Sequence, residues 1–148
     1  MKKTGVLLYL ILLVIAFISP QKALASEEQK MQDEVIYMIM VDRFNNGNTY
    51  NDKDSNVNDP LAYHGGDFQG ITEKLDYVKE MGFTAIWLTP IFENMNKGYH
   101  GYWIKDFYQT NDYFGSMEEF KTLVKEAHKR DIKVILDFVV NHVGPNHE

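Results

Sequence analysis

The chain has 148 residues, a formal net charge of −6 at pH 7 and no cysteine. That length suffices for one modest domain. The absence of cysteine excludes a disulfide scaffold, a thiolate zinc site and a cysteine nucleophile, and the acidity disfavours nucleic acid or an anionic membrane as partner.

Residues 1–25 have the layout of a secretory signal. Lys2 and Lys3 form a basic start, residues 6–18 are an almost unbroken apolar run, and Ala23-Leu24-Ala25 is a small-residue cleavage site with Ser26 as the mature start. The run is shorter than the roughly 20 residues a membrane span needs, and no cysteine follows it to carry a lipid. Cleavage removes three lysines and no acid, which takes the net charge from −6 to −9. The expectation is a secreted, soluble protein whose clustered acids suit a hard cation.

Residues 26–33 are a polar arm. Residues 35–41 (VIYMIMV) are a compact apolar run, the first expected strand, and Asp42-Arg43-Phe44 stand at its end. Residues 45–63 are rich in Asn, Asp and Gly without periodicity, a long loop of the kind that in compact domains tends to be functional or disordered. Apolar residues at 71, 75, 78 and 81 predict an amphipathic helix, capped by Thr72 and ended by Gly82 at its left-handed C′ position. Residues 83–89 (FTAIWLT) are the second strand, closed by Pro90. Residues 91–111 read as another long connection, heavy in aromatics and glycine. Ser116 with Glu119 three residues on is a capping box. The helix it opens buries Met117, Phe120, Leu123, Val124 and Ala127 and ends in Lys129 and Arg130, favourable for its dipole. Val134, Ile135 and Leu136 predict a third strand covered on both faces.

The order is strand, loop, helix, strand, loop, helix, strand. Such alternation implies an α/β fold with a parallel sheet and right-handed crossovers. Loops after strands are long and turns after helices are short, the asymmetry of a (β/α)8 TIM barrel with its site on one rim. Three strands are only the first three β/α units of such a barrel, so the chain reads as incomplete.

Three stretches carry candidate chemistry. Between residues 46 and 67, Asn46, Asn48, Asn51, Asp52 and Asp67 offer oxygens on a flexible loop, and the Gly65-Gly66 pair lets a carbonyl turn inward. Calcium takes six to eight such oxygens, although Asn and Asp are also ordinary turn formers. Next, Tyr99-His100-Gly101-Tyr102-Trp103 places three aromatics in five residues, which serve either to stack on sugar rings, whose C–H faces are apolar, or to close a lid over the rim. Last, Asp137, Asn141 and His142 follow the third strand, at the carboxyl end where α/β folds bind ligands. Asp137 is open there to roles as general acid or base, metal ligand or hydrogen-bond anchor.

Together these stretches resemble the α-amylase superfamily of glycoside hydrolases. DFVVNH (residues 137–142) is similar to its first conserved region after the third barrel strand. IYMIMVDRF, GGDFQGI and GYHGYWIKDF match the family in order, so the resemblance covers nearly all of residues 34–148. It implies that His142 bonds the sugar at the cleavage subsite, that Tyr102 stacks under that sugar with Trp103 in the same aromatic patch, that His100 contacts a nearby hydroxyl, and that Asp137 supports the site from the strand. It implies Asn141 as a calcium ligand. NNGNTYND followed by GGD resembles an extra calcium loop of bacterial maltogenic amylases and cyclodextrin glucanotransferases, with Asn46, Asn48, Asn51, Asp52, Gly65 and Asp67 as ligands. Some of those relatives carry a disulfide near this loop, which a chain without cysteine cannot form.

The resemblance places the catalytic nucleophile, general acid and third aspartate after strands four, five and seven, beyond Glu148. The expected function is hydrolysis of α-1,4-glucosidic bonds in starch or maltooligosaccharides with retention, exercised by a longer enzyme of which this chain is an N-terminal piece. A glucanotransferase on the same scaffold and a non-catalytic carbohydrate-binding relative are the alternatives.

Overall fold

The computed structural model describes residues 31–145 and 147. The expected signal sequence and its cleavage site lie outside them. The described part of a first unit, which ends at Glu34, is a turn over residues 31–33; everything below concerns the unit from Val35 onward.

Its centre is a parallel sheet of β1 (Ile36–Ile39), β2 (Ala85–Leu88) and β5 (Lys133–Leu136) in that order. Tyr37 lies beside Ile86 and Ile86 beside Val134, so all three strands start level. β-branched and aromatic residues at these positions suit a pleated, packed surface. The outer face is covered by helices. Ile39, Ile86 and Leu88 are buried with Ile71, Leu75 and Val78 from one side and Leu123 and Ala127 from the other. Each such aliphatic side chain contributes about 1.5–3 kcal/mol on burial.

The helix expected over residues 71–81 starts earlier and is broken. Helix α2 spans Phe68–Glu73 and α3 spans Leu75–Glu80, with Lys74 between them outside helical geometry. Asp67 is the N-cap, accepting from the Gly70 amide. Thr72, the expected cap, lies inside α2 and donates its hydroxyl to the Phe68 carbonyl at 2.7 Å. Gly82 has φ +88°, as a left-handed C′ residue should. Helix α4 (Met117–His128) carries the full capping box of Ser116 and Glu119. Leu123 and Ala127 are buried on it, whereas Met117, the first helical residue and expected in the stripe, is exposed.

Residues 91–111, read as an irregular connection, contain an antiparallel hairpin of β3 (Phe92–Asn94) and β4 (Ile104–Thr110). Its register shifts twice between Phe92 and Asn94, and such irregular pairing erases the strict alternation by which sequence reveals a strand. The first strand also ends sooner than its apolar run, because Val41–Phe44 form a single helical turn, α1.

The inner face of the sheet is open among the described residues. Ile36, Met38 and Trp87 are 45 %, 45 % and 39 % exposed. β5, expected to be covered on both faces, lies at a sheet edge with its residues only partly buried and Leu136 exposed. The fold is therefore the expected α/β arrangement with a parallel sheet of three strands.

Candidate active-site rim

The strand ends converge their polar side chains on one side. After β1, Asp42 is buried and its carboxylate accepts from the backbone amides of His64 (3.0 Å to each oxygen) and Gly65 (3.4 Å). Burial pushes its carboxyl above the usual range, against the pull of those amides and of Arg43, 3.3 Å away. Arg43 donates to the carbonyls of Pro60 and Ala62, both at 3.0 Å, and its guanidinium lies 4.0 Å from the centre of the Tyr99 ring. The pair thus ties the far end of the Asn/Asp loop to the aromatic turn. The residue reading placed both only at a strand end; a charged pair directly after a buried apolar run was the available signal.

The aromatic turn between β3 and β4 is held against the end of β5. The Tyr102 hydroxyl donates to Asp137 Oδ2 at 2.7 Å. His142 Nε2 is 3.1 Å from the Tyr102 carbonyl, and the Tyr102 amide donates to His100 Nδ1 at 3.0 Å. The His100 and Tyr102 rings are near parallel at 21°, while Trp103 meets His100 edge-on at 4.7 Å. The structure therefore brings together all five residues expected to meet a sugar: His100, Tyr102, Trp103, Asp137 and His142. Burial, with the Asp137 hydrogen bond adding to it, pushes the Tyr102 phenol up to about 12. Burial lowers His100, so its ring is neutral at physiological pH and its Nδ1 is free to accept. Tyr102 is thereby a fixed aromatic face with a neutral donor, flanked by a neutral imidazole and a carboxylate. Such a set can stack on a pyranose and bond its hydroxyls.

In the Asn/Asp loop, amide and carboxylate groups meet over Gly65. Asn46 Nδ2 lies 2.8 and 3.0 Å from the two Asp52 oxygens. Both groups fill the space over Gly65 (φ +91°), where an added Cβ would stand 2.5 Å from each. Both polar atoms of the Asn51 amide are buried without completing a hydrogen bond, although Asp67 is within its electrostatic reach. Asn48 and Asp67 are engaged otherwise. Asn48 Oδ1 accepts from the Tyr50 amide and its Nδ2 reaches Glu119 at 3.4 Å. Asp67 accepts from the amides of Gly47, Asn48 and Gly70. Among the described residues no three His, Cys, Asp or Glu side chains are grouped to hold a metal. The Asp52 carboxylate beside the bare glycine and the buried Asn51 Oδ1 are oxygens of the type calcium takes, whereas Asn46 presents its amide nitrogen to Asp52. Asn141 does not join this cluster. It lines, with His142, Phe138, Lys105 and Tyr108, a separate open groove of about 1220 Å³.

The aromatic, histidine and carboxylate cluster lies beyond the carboxyl ends of a parallel α/β sheet, the place where such folds bind ligands. Residues 38–148 match the model of the α-amylase catalytic domain, and the chain belongs to the α-amylase family. It is similar to an Anoxybacillus α-amylase structure at 72 % identity and TM-score 0.78, covering 78 % of this chain and 26 % of that one. The structure of the Geobacillus thermoleovorans α-amylase, solved with acarbose, is similar at 70 % identity and TM-score 0.73 over 78 % of this chain and 25 % of that one. A cyclomaltodextrin glucanotransferase of Bacillus sp. strain 1011 is 39 % identical over 98 % of this chain and 23 % of its own length. The chain spans about a quarter or less of the curated relatives it matches.

Proposed function

We propose that this chain is the N-terminal part of a secreted α-amylase-type hydrolase that cleaves α-1,4-glucosidic bonds of starch or maltooligosaccharides with retention. The observation that carries the reading is the Tyr102 ring, fixed by Asp137 through its hydroxyl and by His142 through its carbonyl at the end of a parallel strand. The acarbose complex of a 70 % identical relative supports an α-glucan ligand.

In this reading Tyr102 forms the floor under the sugar at the cleavage point. His100 and His142 hold its hydroxyls, Trp103 backs the imidazole of His100, and Asp137 keeps Tyr102 in place. Bond cleavage falls to a carboxylate nucleophile and a carboxylic acid carried by later strands: the acid protonates the departing oxygen, the nucleophile forms a glycosyl ester, and water then opens that ester with the stereochemistry retained. Asn46, Asn51, Asp52 and the Gly65 carbonyl, with Asn48 and Asp67 after local rearrangement, would hold a calcium ion in the long loop, and Asn141 a second one. Such an ion would supply positive charge to the clustered oxygens and would tie the loop to the sheet.

Starch hydrolysis by the full-length protein, followed with and without a chelator, tests the activity and the metal together. Hydrolysis that calcium restores after chelation supports both. A second reading, a glucanotransferase on the same scaffold, is favoured by the 39 % identity to such an enzyme over 98 % of the chain. Cyclic rather than linear products from starch would select it.

A further inference from the structure

Asn94, the last residue of β3, is buried at 6 % exposure and spends its whole side chain on backbone. Its Nδ2 donates to the carbonyls of Phe92 at 2.8 Å and Gly101 at 3.1 Å, and its Oδ1 accepts from the Trp103 amide at 2.8 Å. The Gly101 carbonyl belongs to the peptide unit before Tyr102 and the Trp103 amide to the unit after it. One buried amide therefore grips both peptide planes that flank Tyr102. Two bare glycines leave the room for this. A Cβ on Gly98 would stand 2.8 Å from Asn94 Cβ and Oδ1, and one on Gly101 would stand 2.2 Å from the Pro90 carbonyl.

We propose that Asn94 is a positioning residue for Tyr102, setting the angle at which that ring meets the substrate. The proposal rests on the functional reading above and adds a residue that reading does not use. The register shifts on either side of Glu93 leave the hairpin ladder irregular at this point. The side-chain amide then does what ladder bonds do elsewhere and satisfies groups that would otherwise be orphaned. Both peptide planes are fixed, so the backbone rotation of Tyr102 is fixed with them. In that conformation the Tyr102 hydroxyl meets Asp137 and its amide meets His100. Serine at position 94 cannot reach all three partners.

The test is a double-mutant cycle on kcat/KM for a maltooligosaccharide, run in the full-length protein well below its unfolding temperature. Asn94→Ser is expected to lower kcat/KM by roughly ten- to thirty-fold with Tyr102 present, and by less than about two-fold in a Tyr102→Ala background. Gly98→Ala pushes on Asn94 without deleting it, and is expected to show a smaller loss that likewise vanishes with Tyr102→Ala. Equal losses in both backgrounds, or a lowered unfolding temperature with kcat/KM unchanged, would overturn the proposal. Should Asn94→Ser yield no folded protein, the Gly98→Ala pair decides by the same comparison. An unmodified protein that cleaves no α-glucan would instead overturn the functional reading, a result distinct from a cycle that closes without coupling.

Discussion

The Tyr102 hydroxyl and the Asp137 carboxylate, 35 residues apart in sequence, meet at 2.7 Å and join the hairpin turn to the end of strand β5. A hydrogen bond to a charged group contributes about 1.5–3 kcal/mol. Tyr102→Phe keeps the aromatic face and removes the donor, so kcat/KM for maltooligosaccharides in the full-length protein is expected to fall about ten-fold or more. Tyr102→Ala, which also removes the face, is expected to cost clearly more. Steady-state kinetics of the two variants check the order, and equal losses would show that the ring itself contributes nothing.

The alkaline side of the stability profile follows from the same tyrosine. Tyr102 is pushed up to about 12, by burial and then by Asp137, and Tyr113 up to about 12, by burial and then by Asp54. Raised values mean that the folded state holds these protons more tightly than the unfolded chain does. Their contribution is complete below pH 10, the ordinary value, and is lost as pH rises towards 12. The unfolding midpoint should therefore be insensitive to these groups from pH 7 to 9 and fall above pH 10. Tyr102→Phe should flatten part of that fall, as read by thermal melts across pH. An unchanged slope in the variant would contradict the assignment.

Calcium should stabilise the protein through the loop. Asn51 Oδ1, buried without a completed hydrogen bond, and the Asp52 carboxylate beside Gly65 are the oxygens an ion would take. At calcium one hundred times its dissociation constant, binding to the folded state alone adds about 2.7 kcal/mol. Melts with calcium or chelator should separate by several degrees, and Asn51→Ala or Asp52→Ala should close much of that gap. A gap unaltered in both variants would move the ion elsewhere.

Asp67 should matter to folding even without an ion. It is fully buried, caps α2 and accepts from the amides of Gly47 and Asn48 as well. Losing a cap costs about 1 kcal/mol, and each stranded buried amide about 1 kcal/mol or more. In chelator, Asp67→Ala should lose about 2–4 kcal/mol by denaturant titration. Thr72→Val, at the cap position the sequence suggested, should stay within about 1 kcal/mol. The reverse order would restore the sequence-based boundary.

Residues 26–148 alone should not fold cooperatively. The inner sheet face exposes Ile36, Met38 and Trp87, and among the described residues β1 and β5 are the edges of the parallel sheet. Such edges and faces favour association. A sharp, reversible melt of soluble monomer from this segment would disprove the expectation.

How much of this was legible depended on what each residue pairs with. The parallel strands were readable because Ile39, Ile86 and Leu88 are buried for their apolarity alone, and the α4 cap because Ser116 and Glu119 are local partners. The five residues proposed to meet a sugar were readable as types, and their meeting was implied only by family resemblance. Asp67 was missed as a cap although its capping partner, the Gly70 amide, is local, because the apolar periodicity begins at Ile71 and drew the expected start to Thr72; its further bonds to Gly47 and Asn48 are distant in sequence. Asn94 and Arg43 were missed because each acts on carbonyls or rings that sequence spacing does not bring near. The hairpin was hidden by its shifted register.

Tyr102, Asp137 and His142 are proposed to belong to the substrate floor of a retaining α-glucan hydrolase. Proton NMR of the first reducing ends released from a maltooligosaccharide by the full-length protein tests this most directly. The α-anomer is expected first, relaxing to the equilibrium mixture. Initial release of the β-anomer, or no cleavage at all, would contradict it.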